Sequence, residues 1–296
     1  MEITLANLRR AFREDGYITD EEVLLTVYLA LKLQKPLLIE GEPGVGKTEL
    51  AKVLARIFQT TLIRLQCYEG LDENKALYEW NYQKQLLKIQ LSKDAGCPAE
   101  LEEDIFAPDY LLARPLLQAI QAEEKVVLLI DEVDKADEEF EAFLFEVLSD
   151  FQVSVPELGT LKARQIPIVL LTSNNERELS DGLKRRCLYL YLTYPAVERE
   201  VEIIRARIPD ISEKLAWQLA RAVAQIREQQ SIRKKPSIAE TLDWARALLT
   251  LGKDSLDETT VNQTLNLLLK RKADQDVFTE QVGARRLVMA SQDEKR

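Results

Sequence analysis

Histidine is absent from this sequence of 296 residues. Its absence excludes imidazole general bases, Ser-His-Asp triads and metal centres with histidine ligands. Cysteine is scarce: Cys67, Cys97 and Cys187 are widely spaced and form no C-x-x-C pair, so a zinc or iron–sulfur site is not expected. Such thiols are typical of a reduced, cytoplasmic chain. Any chemistry must therefore depend on carboxylates, lysine, arginine, hydroxyl groups and Mg²⁺.

Long apolar runs are also missing. The apolar runs within the predicted strands have about five residues, whereas a helix needs about 20 to cross a bilayer. Residues 1–10 are charged and lack a hydrophobic signal core, so secretion is not expected. Basic residues number 40 against 50 acidic ones, which gives a formal net charge of −10. Because surfaces that bind nucleic acids are basic, nucleic acid is not expected as a partner. A membrane is not expected either, because the apolar runs are too short.

Glycine is infrequent, with 10 residues, yet three glycines fall within the eight residues 41–48. The octet fits G-x-x-x-x-G-K-[ST], the phosphate-binding loop of nucleoside triphosphatases. Its glycines allow a tight loop whose N–H groups meet phosphate oxygens, Lys47 faces the β- and γ-phosphates, and Thr48 offers a hydroxyl to Mg²⁺. An apolar strand at 37–40 precedes the loop and a helix at 49–58 follows it, which favours nucleotide binding over an accidental glycine turn. The predicted nucleotide-binding residues of this segment are Gly41, Glu42, Pro43, Gly44, Val45, Gly46, Lys47, Thr48 and Glu49.

Strands and helices alternate between residues 37 and 192, which predicts a mostly parallel sheet covered by helices. After Tyr194 the pattern is helical only. The predicted organisation is an α/β nucleotide-binding core at 1–194 followed by an all-α lid domain at 195–296. The predicted buried strands are 37–40, 61–66, 126–130, 166–172 and 188–192. Helices are predicted at 48–58, 112–122, 135–149, 196–207, 212–229, 237–250, 257–271 and 277–290.

An acidic pair, Asp131-Glu132, ends the strand at 126–130. The carboxyl ends of parallel strands are where open α/β sheets bind ligands. A carboxylate there can hold Mg²⁺, which suits Asp131, and the next carboxylate can orient and polarise an attacking water, which suits Glu132. The alternative is that both acids only favour the start of the helix at 135–149. The phosphate loop in the same chain favours the catalytic interpretation.

Further polar residues follow the next strand. Asn174 comes after the strand at 166–172 and can hydrogen-bond the γ-phosphate or the attacking water, although Asn-Asn after a strand is also typical of a turn. Arg185 and Arg186 precede the strand at 188–192. An arginine there can reach the nucleotide of a neighbouring subunit and stabilise transition-state charge. The alternative is a structural pair that bonds the carbonyl groups at a helix end.

With these motifs the chain resembles AAA+ ATPases of the MoxR group over about residues 15–290. The phosphate loop matches the Walker A motif, and residues 126–132 match Walker B. Asn174 matches the sensor 1 position. Arg186 matches the arginine finger best, with Arg185 as its close rival. The resemblance implies a P-loop core with a five-stranded parallel sheet and a helical lid.

The resemblance also implies functional segments outside these motifs. Tyr17 and Ile18 belong to a segment that contacts adenine in this superfamily, so they join the predicted nucleotide-binding residues. Residues 67–110 would contain an insert in helix 2 directed toward a ring pore, and residues 151–163 a hairpin before sensor 1. The aromatic side chains of the insert either grip a client protein or pack within the insert; they are Tyr68, Tyr78, Trp80 and Tyr82.

More specifically, residues 64–70 and 76–82 resemble the CoxD-type branch, accessory ATPases of carbon monoxide dehydrogenase-like molybdenum hydroxylases. Such ATPases act with a partner that carries a von Willebrand factor A (VWA) domain and promote cofactor maturation. One departure concerns the sensor 2 arginine at the start of a lid helix. Its place holds Ala239 or Glu240, and a cation from residues 233–235 is the possible substitute.

The residues and the resemblance together predict a cytoplasmic, ring-forming ATPase, expected to be a hexamer, that binds ATP with Mg²⁺ and remodels a partner protein. Lys47, Glu132, Asn174 and one of the two arginines would be catalytic, and Thr48 and Asp131 would hold the metal. The alternatives are a P-loop kinase of small molecules, a nucleic-acid-associated P-loop NTPase, and a scaffold that binds ATP and hydrolyses little.

Overall fold

A computed structural model describes residues 2–95, 106–155 and 158–292. The chain divides into two compact units. The predicted boundary at residue 194 stays a prediction, and the contacts group two earlier segments, Arg10–Asp20 and Glu42–Gly46, with the C-terminal residues. The first unit contains the described residues of Met1–Arg9, Glu21–Gly41 and Lys47–Tyr191; the second contains Arg10–Asp20, Glu42–Gly46 and those of Leu192–Arg296.

A five-stranded sheet lies at the centre of the first unit, and it confirms the predicted α/β class with a parallel sheet. The described residues form the strands β1 (Leu37–Gly41), β2 (Leu62–Gln66), β3 (Tyr78–Trp80), β4 (Leu111–Ala113), β5 (Val127–Asp131), β6 (Gln152–Val155), β7 (Gly159–Lys162), β8 (Ile168–Ser173) and β9 (Leu188–Leu192). The large sheet has the order β2-β5-β8-β1-β9. Every residue of β1 and β5 is buried, because helices cover both faces of a parallel sheet.

Two short antiparallel pairs accompany this sheet. β3 lies inside the predicted insert at 67–110 and pairs with β4, which begins just after it, whereas β6 pairs with β7 inside the predicted hairpin at 151–163. Parts of both predicted segments, 96–105 and 156–157, lie outside the described residues.

The helices are α1 (Leu5–Glu14), α2 (Glu21–Leu33), α3 (Lys47–Phe58), α4 (Glu73–Ala76), α5 (Tyr82–Ala95), α6 (Pro115–Gln121), α7 (Glu138–Asp150), α8 (Asp181–Arg186), α9 (Val197–Arg207), α10 (Glu213–Glu228), α11 (Ile238–Thr250), α12 (Glu258–Leu268), α13 (Lys272–Gln281) and α14 (Ala284–Gln292). Short 3₁₀ helices cover Pro108–Tyr110 and Val133–Lys135. Within the described part of the chain, no helix is long and apolar enough to cross a membrane.

The helix predicted at 112–122 begins later than expected. Its first three residues include part of β4, and α6 starts at Pro115, which suits the first helical turn because proline lacks an N–H donor. The helix predicted at 135–149 also starts late, at Glu138. There the side chain of Asp137 accepts a 2.8 Å hydrogen bond from Phe140 N and caps α7.

The second unit has a helical core of its own. Trp244 of α11 is fully buried in it, and its indole N–H donates a 2.7 Å hydrogen bond to Thr264 Oγ1. The single helix predicted at 277–290 is wrong, because α13 ends at Gln281 and α14 begins at Ala284. Gly283, with φ of 74°, breaks the helical path between them.

Candidate active site

Polar side chains from neighbouring strands meet at the carboxyl edge of the large sheet. In the parallel register Gln66 of β2 pairs with Asp131 of β5. Thr172 of β8 lies beside Asp131, and its hydroxyl donates a hydrogen bond to Asp131 Oδ1. The backbone N–H of Glu132 donates to the same hydroxyl oxygen at 2.9 Å. The strand register therefore assembles the edge that the sequence predicts for ligand binding.

The phosphate loop precedes the first turn of α3. Gly44 and Gly46 have φ values of 79° and 99°, which side chains with a Cβ atom rarely adopt. Lys47 is buried, and its Nζ donates a 2.6 Å hydrogen bond to the carbonyl of Gly41. This bond joins the two ends of the loop and holds a positive charge at a helix N-terminus, as a phosphate-binding loop requires.

Within the second unit, residues from the C-terminal part of the chain contact the middle of the loop. Tyr194 Oη donates to the carbonyl of Pro43 at 3.2 Å, and the backbone N–H of Ile238 donates to that of Gly44 at 3.3 Å. A Cβ atom placed on Gly44 would lie 2.2 Å from Ser237 Cβ. Gly44 therefore packs directly on the residue that caps α11.

A buried ion pair fixes the residues that make these contacts. Arg227 donates two hydrogen bonds, of 2.6 and 3.0 Å, to the carboxylate of Glu200, and both side chains are buried. Its Nε also donates to Pro236 O at 2.8 Å, and its guanidinium lies 4.3 Å from the ring centre of Tyr194. Losing one partner of such a pair leaves a buried charge uncompensated, which typically costs about 3–5 kcal/mol.

The start of α11 has no arginine at the expected sensor 2 place. Ser237 and Glu240 form a reciprocal capping box there, and Glu240 Oε2 accepts from Ser237 N at 2.8 Å. Ala239 is exposed. The described contacts of Tyr194, Ser237 and Ile238 with the loop are a hydrogen bond from a tyrosine hydroxyl, close packing on Gly44 and a backbone hydrogen bond.

Gly44→Ala is expected to destabilise the protein more than Gly70→Ala. Both glycines have nearly the same positive φ, 79° and 77°, but Gly70 has open space where its Cβ would lie. The two variants therefore share the backbone strain and differ in the collision with Ser237. Overpacking of this kind costs about 1–3 kcal/mol, measurable as a difference in the free energy of unfolding. Adding Ser237→Gly to Gly44→Ala should recover part of the loss; equal stability of the two single variants would contradict the packing argument.

Asp131 is almost fully buried and accepts hydrogen bonds from several directions. Thr48 Oγ1 donates to its Oδ1 at 3.1 Å, and Arg64 donates to its Oδ2 from Nε at 3.0 Å and from a terminal nitrogen at 2.5 Å. The hydroxyl and the carboxylate supply the hard oxygen ligands that Mg²⁺ prefers. Among the described residues, no group of three or more acidic or cysteine side chains is placed so that it could hold a metal ion. A pair of protein ligands fits Mg²⁺, which takes its remaining ligands from phosphates and water.

Glu132 follows Asp131 and has the left-handed backbone conformation, with φ of 56°. Strained conformations of this kind concentrate at functional sites. Its carboxylate accepts hydrogen bonds from Gln66 Nε2 at 2.9 Å and Lys135 Nζ at 2.7 Å. The hydrogen bond to Glu132 raises the pKa of Lys135 above its ordinary value. The side chain is partly exposed, so a water molecule can reach it.

Asn174 lies beside Glu132, and its role in positioning water stays a prediction. Its Nδ2 is 3.4 Å from Glu132 Oε1. Its backbone N–H, together with that of Glu176, donates to Asp134 Oδ2 at 3.0 and 2.9 Å. The buried carboxylate of Asp134 therefore orients the turn that presents Asn174.

The predicted finger arginines differ in their surroundings. Arg186 Nε donates to Ser149 Oγ at 2.6 Å, and a terminal nitrogen donates to Gly182 O at 2.9 Å. Its guanidinium also lies 4.4 Å from the ring centre of Phe145. Arg185 is exposed and has no side-chain hydrogen bond or ion pair among the described residues.

The other predicted nucleotide-binding residues have described contacts of their own. Glu49 faces the surface of α3, where Arg56 donates to it at 3.1 Å. Tyr17 packs edge-to-face on Phe12, with ring centres 5.5 Å apart, in the second unit. The roles of Glu49, Tyr17 and Ile18 in nucleotide binding stay predictions.

Several residues of the cluster were not predicted. Arg64 and Gln66 are two residues apart in β2 and therefore lie on the same face of the strand. They reach Asp131 and Glu132 because β2 pairs with β5. Lys135 stands three residues after Glu132, a spacing at which one helical turn brings side chains together, and this signal is visible in the sequence.

Cys67 directly follows β2, and its N–H donates to the carbonyl of Asp131 at 2.8 Å. Burial, and then the negative charges of Asp131, Asp134 and Glu132, raise its pKa to about 12. The thiol is therefore protonated and unreactive at neutral pH, as expected for a packed cysteine. Cys187 is also a free thiol, and Cys97 lies outside the described residues.

Comparison with known proteins agrees with this geometry. The family model of the AAA domain, dynein-related subfamily, matches residues 36–187. The chaperone protein ClpB of Mycoplasma pneumoniae is 28% identical over 157 residues, which cover 49% of this chain and 19% of that protein. ClpB of Mycoplasma genitalium is 31% identical over 144 residues, 45% of this chain and 16% of that protein. The chain thus matches less than one fifth of the length of these relatives.

Among solved structures, the Thermotoga maritima RuvB Holliday junction branch migration motor is similar in fold. The TM-score is 0.53 at 18% sequence identity, and the match covers 90% of this chain and 76% of that one. A likeness at this identity concerns the fold alone, which is that of P-loop ATPases of the AAA+ class.

Proposed function

Because the chain belongs to the AAA domain family, in its dynein-related subfamily, and is an ATPase, we propose that it uses ATP hydrolysis to remodel a partner protein. One observation carries the hydrolysis in this proposal: Lys47 and Thr48 at the start of α3, Asp131 and Glu132 at the end of β5, and Asn174 after β8 belong to a single unit. Thr48 and Asn174 are joined to the acidic pair by the described hydrogen bonds.

The side chains divide the work of hydrolysis. Glu132 orients a water molecule and accepts its proton as the water oxygen bonds to the γ-phosphorus and the bond to the β–γ bridging oxygen breaks. Lys47 neutralises the charge that develops on the phosphates, and Asn174 donates its amide to the water or to a γ-phosphate oxygen. When bound, Mg²⁺ neutralises phosphate oxygens, and Thr48 and Asp131 would hold it.

Hydrolysis of this kind commonly uses a cation that a neighbouring subunit places against the γ-phosphate. AAA+ proteins typically assemble as rings. We infer a ring of six subunits here, in which an arginine of each subunit reaches the nucleotide of its neighbour. The surroundings of the two arginines favour Arg185 for this role, since Arg186 is already bound to Ser149 and Phe145 of its own subunit.

The nature of the partner is inferred from relatives and motifs. The ClpB relatives are named as chaperones, which supports a protein as the client. The segments at 64–70 and 76–82 support a MoxR-type ATPase of the CoxD branch, acting in the cytoplasm with a VWA-domain partner in the maturation of a molybdenum hydroxylase. The net charge of −10 speaks against the nucleic-acid alternative.

The aromatic residues of the insert fall into two groups. Trp80 is buried and contacts Tyr78 and Phe106 edge-to-face, with ring centres 6.0 and 5.4 Å apart. Tyr68 and Tyr82 are exposed, at 45% and 64%. The first group packs within the insert, and the second is free to contact a client.

Tyr68→Ala is expected to weaken the binding of an unfolded polypeptide about tenfold, because an exposed aromatic anchor commonly supplies that much binding energy. Binding would be measured by the fluorescence anisotropy of labelled, unfolded casein, with Glu132→Gln protein and ATP to prevent turnover. Tyr68→Phe, which keeps the ring, should bind as the parent does. Casein binding that is absent in the parent protein, or unchanged in Tyr68→Ala, would contradict remodelling through this residue.

A further inference from the structure

Arg64 of β2 is a charged side chain that contacts Asp131, the proposed metal ligand, and comes from neither the phosphate loop nor the Walker B strand. It donates to Asp131 Oδ2 twice, at 3.0 and 2.5 Å. The Asp131 side chain is 3% exposed, whereas that of Arg64 is 49% exposed. The guanidinium therefore reaches a buried carboxylate from the solvent side and has room to leave it.

The guanidinium of Arg64 also contacts Gln66, which donates a hydrogen bond to the proposed catalytic base Glu132. A terminal nitrogen of Arg64 donates to Gln66 Oε1 at 2.5 Å, and Gln66 Nε2 donates to Glu132 Oε2 at 2.9 Å. Arg64 thus joins Asp131 to Glu132 through a single intervening amide. The orientation of that amide is set from both sides, because its oxygen accepts from Arg64 and its nitrogen donates to Glu132.

We propose, resting on the ATPase function above, that Arg64 is a displaceable counter-ion of Asp131 that couples metal loading to the release of Glu132. A bidentate guanidinium and a divalent cation compete for one carboxylate oxygen, because each needs its lone pairs and its charge. When Arg64 leaves Asp131, Gln66 loses the donor that fixes its amide oxygen. The hold of Gln66 on Glu132 then weakens, and Glu132 is free to take a water molecule.

The proposal is tested through metal affinity, which does not depend on turnover. Arg64→Gln removes the competing charge and keeps a polar side chain of similar shape. Binding of Mn²⁺, a spectroscopic substitute for Mg²⁺, would be followed by the electron paramagnetic resonance of free Mn²⁺ in the presence of a non-hydrolysable ATP analogue. Arg64→Gln should bind Mn²⁺ at least about fivefold more tightly than wild type, the scale of one charge-assisted hydrogen bond.

The chain offers two matched controls. Arg114 forms an ion pair with Glu79 at the same 2.5 Å distance, and its side chain is about as exposed as that of Arg64, so Arg114→Gln should leave the Mn²⁺ affinity unchanged. Lys135→Gln removes an equal charge from Glu132 instead of Asp131. A gain in affinity as large in Lys135→Gln as in Arg64→Gln would mean that general electrostatics alone is responsible, and would overturn the proposal.

Unchanged or weaker Mn²⁺ binding by folded Arg64→Gln protein would also overturn it. If Arg64→Gln does not fold, Arg64→Lys replaces it, because lysine keeps the charge without the two hydrogen bonds that converge on Asp131 Oδ2. Its affinity for Mn²⁺ should exceed that of wild type by a smaller factor. Failure of the proposed function is separable: wild-type protein that releases no phosphate from ATP would refute hydrolysis, whatever the order of Mn²⁺ affinities.

Discussion

Glu132→Gln is expected to bind ATP as tightly as wild type and to lose at least about a hundredfold in turnover, since a positioned general base contributes about 10²–10⁴-fold. Glutamine has the same shape as glutamate. Its amide oxygen can still accept the hydrogen bonds that Gln66 and Lys135 donate to the carboxylate in wild type. What it lacks is a basic oxygen to take the proton of water. Nucleotide affinity by calorimetry and release of ADP and inorganic phosphate would measure the two effects separately.

Glu139→Gln is the matched control, because Glu139 is an exposed glutamate in the first turn of the neighbouring α7 and contributes only to its surface. It should keep wild-type turnover. Equal turnover of Glu132→Gln and wild type would refute the role of Glu132 and leave a nucleotide-binding scaffold as the better interpretation. In wild type, ADP and phosphate should appear in equal amounts without an added acceptor; ADP with a phosphorylated small molecule in place of phosphate would indicate a kinase.

The parts of the candidate nucleotide site that could be predicted from the sequence are those whose residues are adjacent in the chain. Gly41 to Thr48 and Asp131-Glu132 are contiguous, and each residue type has a chemical role at a fixed spacing. Arg64 and Gln66 were not predicted, because their contact with the acidic pair depends on which strand lies beside β5. That neighbour follows from packing of the whole sheet, and no local pattern specifies it.

The fold shows the same division between local and long-range information. Continuous apolar runs predicted the strands around Leu38 and Leu129 correctly, since a strand buried on both faces needs no partner to be recognised. The helix boundaries near Pro115 and Gly283 were missed although both residues are visible breakers. Residues 112 and 113 of the predicted helix belong to β4 instead, because β4 pairs with β3. At Gly283 the apolar periodicity continues on both sides of the break, so the pattern predicted one helix.

For the arginines, Arg185→Ala is expected to reduce turnover by roughly 10³–10⁵-fold, the usual value of an arginine supplied in trans, with little change in stability. Arg186→Ala should instead lower the free energy of unfolding by about 1–3 kcal/mol, because it removes the hydrogen bonds to Ser149 and Gly182 and the contact with Phe145. Phosphate release and thermal unfolding of each variant separate the two roles. Turnover lost in Arg186→Ala but not in Arg185→Ala would reverse the assignment.

Mixing experiments show whether the arginine acts on a neighbour. Arg185→Ala subunits keep Lys47, and Lys47→Ala subunits keep Arg185, so neither forms a complete site alone. In a ring mixed at equal amounts, about one quarter of the interfaces would unite an intact Lys47 with an intact Arg185 from the next subunit. Turnover should therefore recover toward a quarter of the wild-type value. No recovery at any ratio, in subunits shown to assemble together, would mean that the phosphate loop works with a cation from its own chain, and the ring would then be unnecessary for catalysis.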